Sequence, residues 1–150
     1  MIDLIELSPT NERPFAERLR RSITAAWPDI AASSVDRIRI LVGIRTIREI
    51  DLLVTVDLAR PRALPSIPRR DGTRSPDGET IQAACLAIEV KQLDQSRFVL
   101  RGTEAFPIYD GKTSRSVNTQ VDEIARAVVA HRDRYGVERF FVHGIGWLTE

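Results

Sequence analysis

The chain has 150 residues, 43% of them hydrophobic and 29% charged, with a formal net charge of +1. This length and composition suit one folded domain with a real core, and they exclude a disordered chain. The near-neutral balance excludes a global basic field, so a nucleic-acid partner would have to use a local patch.

Among the 22 basic residues only Lys91 and Lys112 are lysine; the other 20 are arginine. A lysine at position 91 therefore hints that an amine is wanted there, because the two side chains differ in size, hydration and ease of deprotonation. Cys85 is the single cysteine, so no intrachain disulfide framework exists, and the two histidines make no zinc pattern. The first residues lack a signal-peptide h-region and no apolar run approaches membrane-spanning length. The expected setting is soluble, reducing and cytoplasmic, with no membrane partner.

Residues 1–10 open with an apolar-acidic alternation (Ile2, Leu4, Ile5, Leu7) that reads as a short strand or an ordered arm. Thr10 or Asn11 can cap a helix from about Glu12 to Ala26, with Pro14 tolerated in its first turn. Phe15, Leu19, Ser22, Ile23 and Ala26 form its apolar stripe, and Trp27-Pro28 ends it. After a linker through Ala31–Val35, residues 37–46 and 48–58 read as two strands joined by a short turn, hence antiparallel. Residues 59–82 carry four prolines, two glycines and five arginines without periodicity, which predicts a long insertion loop. In this reading Arg60, Arg62, Arg69 and Arg70 belong to an arginine-bearing flap able to touch phosphates; the bland alternative is a surface insertion.

A third strand is expected at Ala83–Lys91, then a small hairpin from Arg97–Arg101 and Ala105–Tyr109. One helix from about Ser116 to Tyr135, stopped by Gly136, presents Val117, Val121, Ile124, Ala125, Val128 and Val129 as its buried face. The last strand is predicted at 138–144, and the end at Glu150 suggests a domain cut from a longer protein or a complete small one. The order implies an α/β domain with a central mixed sheet and a helix on each side.

The candidate chemistry lies in the strands. Residues i and i+2 of a strand face the same way, so Glu89 and Lys91 stand side by side while Leu86, Ile88 and Val90 face the other way. Asp51 is a carboxylate at the start of an otherwise apolar strand. If the second and third strands are neighbours, Asp51 can face Glu89. Two converging carboxylates suit a hard cation such as Mg²⁺, which needs few protein ligands. The alternative is a surface ion pair of little energetic value.

Asp51 followed by Glu89-Val90-Lys91 resembles the D…(D/E)xK core of the PD-(D/E)xK nuclease superfamily. More narrowly, Glu49-Ile50-Asp51-Leu52-Leu53-Val54 with Ile88-Glu89-Val90-Lys91 is similar to the nuclease-related domain (NERD) family, and Phe98–Tyr109, Asn118 and Gln120 occupy the places of that family's hairpin, Asn and Gln. The resemblance spans about residues 12–143. It implies a restriction-endonuclease-like αβββαβ core and a Mg²⁺- or Mn²⁺-dependent deoxyribonuclease. Asp51 and Glu89 would bind metal, Lys91 would stabilise the nucleophile or transition state, and Gln120 would position water or phosphate. A glutamate from the first helix would assist: Glu12 is the first choice, since it is in helical phase with Ala16, Leu19 and Ile23, and Glu17 the second. Glu49 is a candidate outer ligand. Two departures stand out: the connection between the second and third strands is longer than the family's, and Ile50 replaces the proline of the superfamily name. The rival readings are a non-catalytic nucleic-acid-binding or partner-docking module, and an accessory domain with a fused or associated helicase-type domain.

Overall fold

The computed structural model describes residues 1–63, 72–73, 79–92 and 97–149. Strand β1 (Ile2–Glu6) realises the opening alternation. Helix α1 (Arg13–Ala26) follows, with Pro14 in its first turn and Ala16 fully buried. Neither Thr10 nor Asn11 caps it: Glu12 holds the cap position without a side-chain capping bond. Thr10 instead donates its hydroxyl to the Glu12 carboxylate. Trp27 breaks the helix, and a short α2 (Pro28–Ala32), with Pro28 in its first turn and Ile30 buried, restarts before the expected linker and runs into its first two residues.

Strands β2 (Arg37–Arg45), β3 (Glu49–Ala63) and β4 (Thr80–Gln92) form an antiparallel meander. β3 and β4 are longer than their periodicity predicts. The ladder crosses an irregularity between Asp57 and Arg62 and resumes at Arg62↔Ile81 and Ala63↔Thr80. Pro61 lies in that irregularity, where a residue without an N–H is tolerated. Residues 59–63 and 80–82 are thus strand rather than loop.

A second small sheet comprises β5 (Phe98–Arg101), β6 (Glu104–Tyr109) and β7 (Lys112–Thr113), the expected hairpin with one added strand. The single helix predicted over 116–135 is two: α3 (Val117–Ala130) and α4 (Arg132–Tyr135), broken at His131 and closed by Gly136 at φ 67°. Ser116 caps α3 by accepting from the Thr119 N–H at 3.1 Å.

The last strand, β8, runs over Val142–Thr149, later than the predicted 138–144. Its glycines look like turn residues in the sequence. In the fold they let α3 approach: a Cβ at Gly144 would lie 2.6 Å from Val121 Cγ1 and 2.9 Å from the Val121 carbonyl oxygen. Glycine inside a strand has this use.

The five-stranded sheet has the order β1-β2-β3-β4-β8, with β1 parallel to β2 and β8 parallel to β4. It is a mixed sheet flanked by helices. On one face, Ile38, Ile40, Val42, Leu52, Val54 and Val56 pack with Ala16 of α1 and Ile30 of α2. On the other, Leu53, Cys85 and Ala87 pack with Ile124 and Val128 of α3. Burying each large aliphatic side chain here contributes about 1.5–3 kcal/mol. Among the described residues no helix is long and apolar enough to cross a membrane.

Candidate active site

The β3–β4 ladder is antiparallel and in register down to Leu52↔Ile88. Continued by one residue, that register sets Asp51 opposite Glu89, but the paired ladder stops there. The Val90 N–H donates instead to Oδ2 of Asp51 at 2.7 Å, so a side chain takes over from the backbone as acceptor. The geometry has a plain cause. Asp51 lies on the α3 side of the sheet with Leu53, and Glu89 and Lys91 lie on that side with Ala87.

Glu89 and Lys91 form an ion pair, Nζ to Oε1 at 2.5 Å, with side chains only 13% and 17% exposed. Withdrawn this far from water, the pair differs from a solvated surface contact. One oxygen of each carboxylate is therefore engaged, Asp51 Oδ2 by a backbone N–H and Glu89 Oε1 by an ammonium. Burial pushes the Asp51 carboxyl up to about 7; Glu89 and, more weakly, Glu12 add to the rise, while the Val90 N–H and Lys91 oppose it.

Arg48, Glu49, Asp51, Glu89, Gln120 and Ile124 line a cleft of about 360 Å³ at this end of the sheet. Gln120, on α3, donates Nε2 to the Arg115 carbonyl at 3.0 Å, which fixes its amide at the cleft. Glu49 is exposed and stands at the lip. Glu12 reaches the site electrostatically from the start of α1. Glu17 is ion-paired with Arg20 at 3.0 Å and is not among the charges acting on Asp51. Asn118 holds the small hairpin, accepting from the Ala105 N–H at 3.5 Å.

The described part of the predicted arginine flap is not brought to the cleft. Arg60 is an exposed and Arg62 a half-buried residue of β3, nine and eleven positions beyond Asp51, or roughly 30 Å and more along a strand. Arg62 is ion-paired with Asp29 of α2. Arg69 and Arg70 lie outside the described residues. The rim arginine that the structure does supply is Arg48. It contacts Glu123 of α3 at 2.6 Å, and Arg115 contacts the same carboxylate. No local pattern reveals this junction, since its partners are 75 positions apart.

The donor set is hard oxygen with excess negative charge: Asp51, Glu89 and Glu12 against Lys91. Among the described residues no three His, Cys, Asp or Glu side chains form a ready cage. Two carboxylates in an open cleft fit Mg²⁺ or Mn²⁺ binding in which water completes the shell. No family model, curated protein or solved structure matches this chain.

Proposed function

We propose that this chain is a Mg²⁺- or Mn²⁺-dependent phosphodiesterase acting on DNA, akin to the nuclease-related domain group. The observation that carries this reading is the meeting of Asp51 with the withdrawn Glu89–Lys91 pair where the β3–β4 ladder stops. The order α1, β2-β3-β4, α3, β8 also agrees with the αβββαβ core of restriction-endonuclease-like proteins. A bound divalent cation would supply Lewis-acid polarisation of a phosphate oxygen and readier hydroxide near neutral pH.

The chain's own residues do the rest. Asp51 and Glu89 would hold the cation, with Glu12 adding negative charge. Lys91 places an ammonium beside Glu89, where it can stabilise a nucleophile or charge developing on the phosphoryl group. Gln120, anchored by Arg115, offers its amide oxygen to a water or its environment to a phosphate.

Purified protein should nick or degrade DNA with Mg²⁺ or Mn²⁺ and stop on chelation. Asp51→Ala and Lys91→Ala should each lower the rate by at least about 10²–10³-fold. Cleavage undiminished in both variants would overturn the assignment. Salt-dependent DNA binding with no cleavage under any divalent metal would select the non-catalytic module instead.

A further inference from the structure

A second cavity, of about 330 Å³, lies on the α3 side of the sheet towards its opposite end. Arg37, Arg39 and Leu41 project into it from β2, being two residues apart and so on one face. The segment after α4 closes its other wall with Gly136, Glu138, Arg139 and Phe140. Asp57, on its lining, is six residues from Asp51, roughly 20 Å along β3. The two cavities share no lining residue.

The charges of this cavity are unevenly satisfied. Asp57 sits directly opposite Arg37 in the β2–β3 ladder. Its carboxylate nevertheless accepts from Arg139 Nη2, at 3.1 Å. Among the described residues, the guanidinium groups of Arg37 and Arg39, both exposed, have neither a hydrogen-bond nor an ion-pair partner. Two unpaired guanidinium groups on one face of one strand repel each other, and an anion between them relieves that repulsion. The guanidinium fork matches a phosphate with paired N–H donors. Ile5, Leu41 and Phe140 supply an apolar surface beside it.

The remaining features narrow the ligand. The volume falls near the lower end for small-molecule sites and suits one nucleotide, not a duplex. Asp57 and Glu138 would repel a run of phosphates, yet carboxylates accept well from base amino and sugar hydroxyl groups. We propose that this cavity binds a single nucleotide, its phosphate on Arg37 and Arg39 and its ring against Ile5, Leu41 and Phe140. The nucleotide is either free or the phosphorylated end of a strand. This proposal stands independently of phosphodiester cleavage.

The test is calorimetric titration of the full chain with dAMP, deoxyadenosine and inorganic phosphate, in chelator so that the metal-dependent reaction is silent. dAMP should bind more tightly than either fragment. Arg37→Gln/Arg39→Gln should weaken it at least about tenfold, and Asp51→Asn should leave it unchanged. A 5′-phosphorylated oligonucleotide that displaces dAMP, where its 5′-hydroxyl counterpart does not, identifies the strand end as the source; failure of both to displace it identifies the free nucleotide. Absence of dAMP binding, or equal affinity in a double variant with the parent melting temperature, would overturn the proposal. Should that variant not fold, Arg37→Lys/Arg39→Lys keeps the charge and removes the fork. It should weaken dAMP binding, and unchanged affinity would be equally fatal. A parent protein that binds dAMP but cleaves no DNA with Mg²⁺ or Mn²⁺ would count against the nuclease reading alone.

Discussion

At Asp51, burial and Glu89 hold the carboxyl up to about 7, well above its ordinary 3.8. Below pH 3.8 the acid is protonated in both folded and unfolded chains and has no effect on stability. Between 3.8 and about 7 the unfolded chain ionises and the folded one resists, so stability falls as pH rises, and the full cost is present above 7. Asn at this position mimics the protonated acid and can still accept from Val90. Asp51→Asn should therefore stabilise the metal-free protein at pH 8 by about 1–2 kcal/mol, after discounting for solvent contact, or roughly 3–6 °C in Tm, with no gain near pH 4. Thermal melts in chelator across this range check it; a gain independent of pH would point to packing instead. Asp51, Glu89 and Lys91 are legible in the sequence because strand alternation alone puts charges on a face. The place of Glu12 is less so, because it precedes the first helical turn, where helical phase no longer fixes direction. Arg48 and Glu123 meet only through the tertiary fold.

Among the elements, β8 departs furthest from its reading in the sequence. The apolar residues of 138–144 suggest a strand, yet the strand begins at Val142 and continues through Gly144 and Gly146. Those glycines are punctuation to a local reading and contact points to a helix. A Cβ at Gly146 would come within 2.9 Å of Val117 Cγ1, and one at Gly144 would meet a carbonyl oxygen of α3 that cannot rotate away. Gly144→Ala should cost about 1–3 kcal/mol through overpacking. Because β4 pairs with β8 from Cys85↔Val142 to Gln92↔Thr149, the shift would be passed to Glu89 and Lys91. Denaturant unfolding would register the loss of stability; an unchanged midpoint would mean that α3 is not held against β8. Apolar spacing elsewhere yields α1, β2 and the β5–β6 hairpin, but not the short α2, the added β7 or the break between α3 and α4. Nor does it yield the extension of β3 past Pro61, since cross-strand pairing with Ile81 outweighs the local signal for a loop.

On the scale of the molecule, the candidate site draws on parts that only folding unites: Glu12 before α1, Asp51 on β3, Glu89 and Lys91 on β4, and Gln120 on α3. A cation held by such a set binds the folded chain far better than the unfolded one, so its binding free energy adds to the stability of the whole. At a concentration of about 100 times Kd the gain is about 2.7 kcal/mol, or roughly 5–10 °C in Tm for a domain of this size. The gain should be larger at pH 8 than at pH 6, because Asp51 must give up its proton to bind and does so only near 7. Melts with increasing Mg²⁺ or Mn²⁺, reversed by chelator, measure the effect directly and need no substrate. Asp51→Asn combined with Glu89→Gln should remove it, measured against the metal-free Tm of the same variant, which the loss of the Lys91 partner lowers. If the double variant keeps the full shift, the cation binds elsewhere and the cleft between β3 and β4 loses its assignment as a metal site.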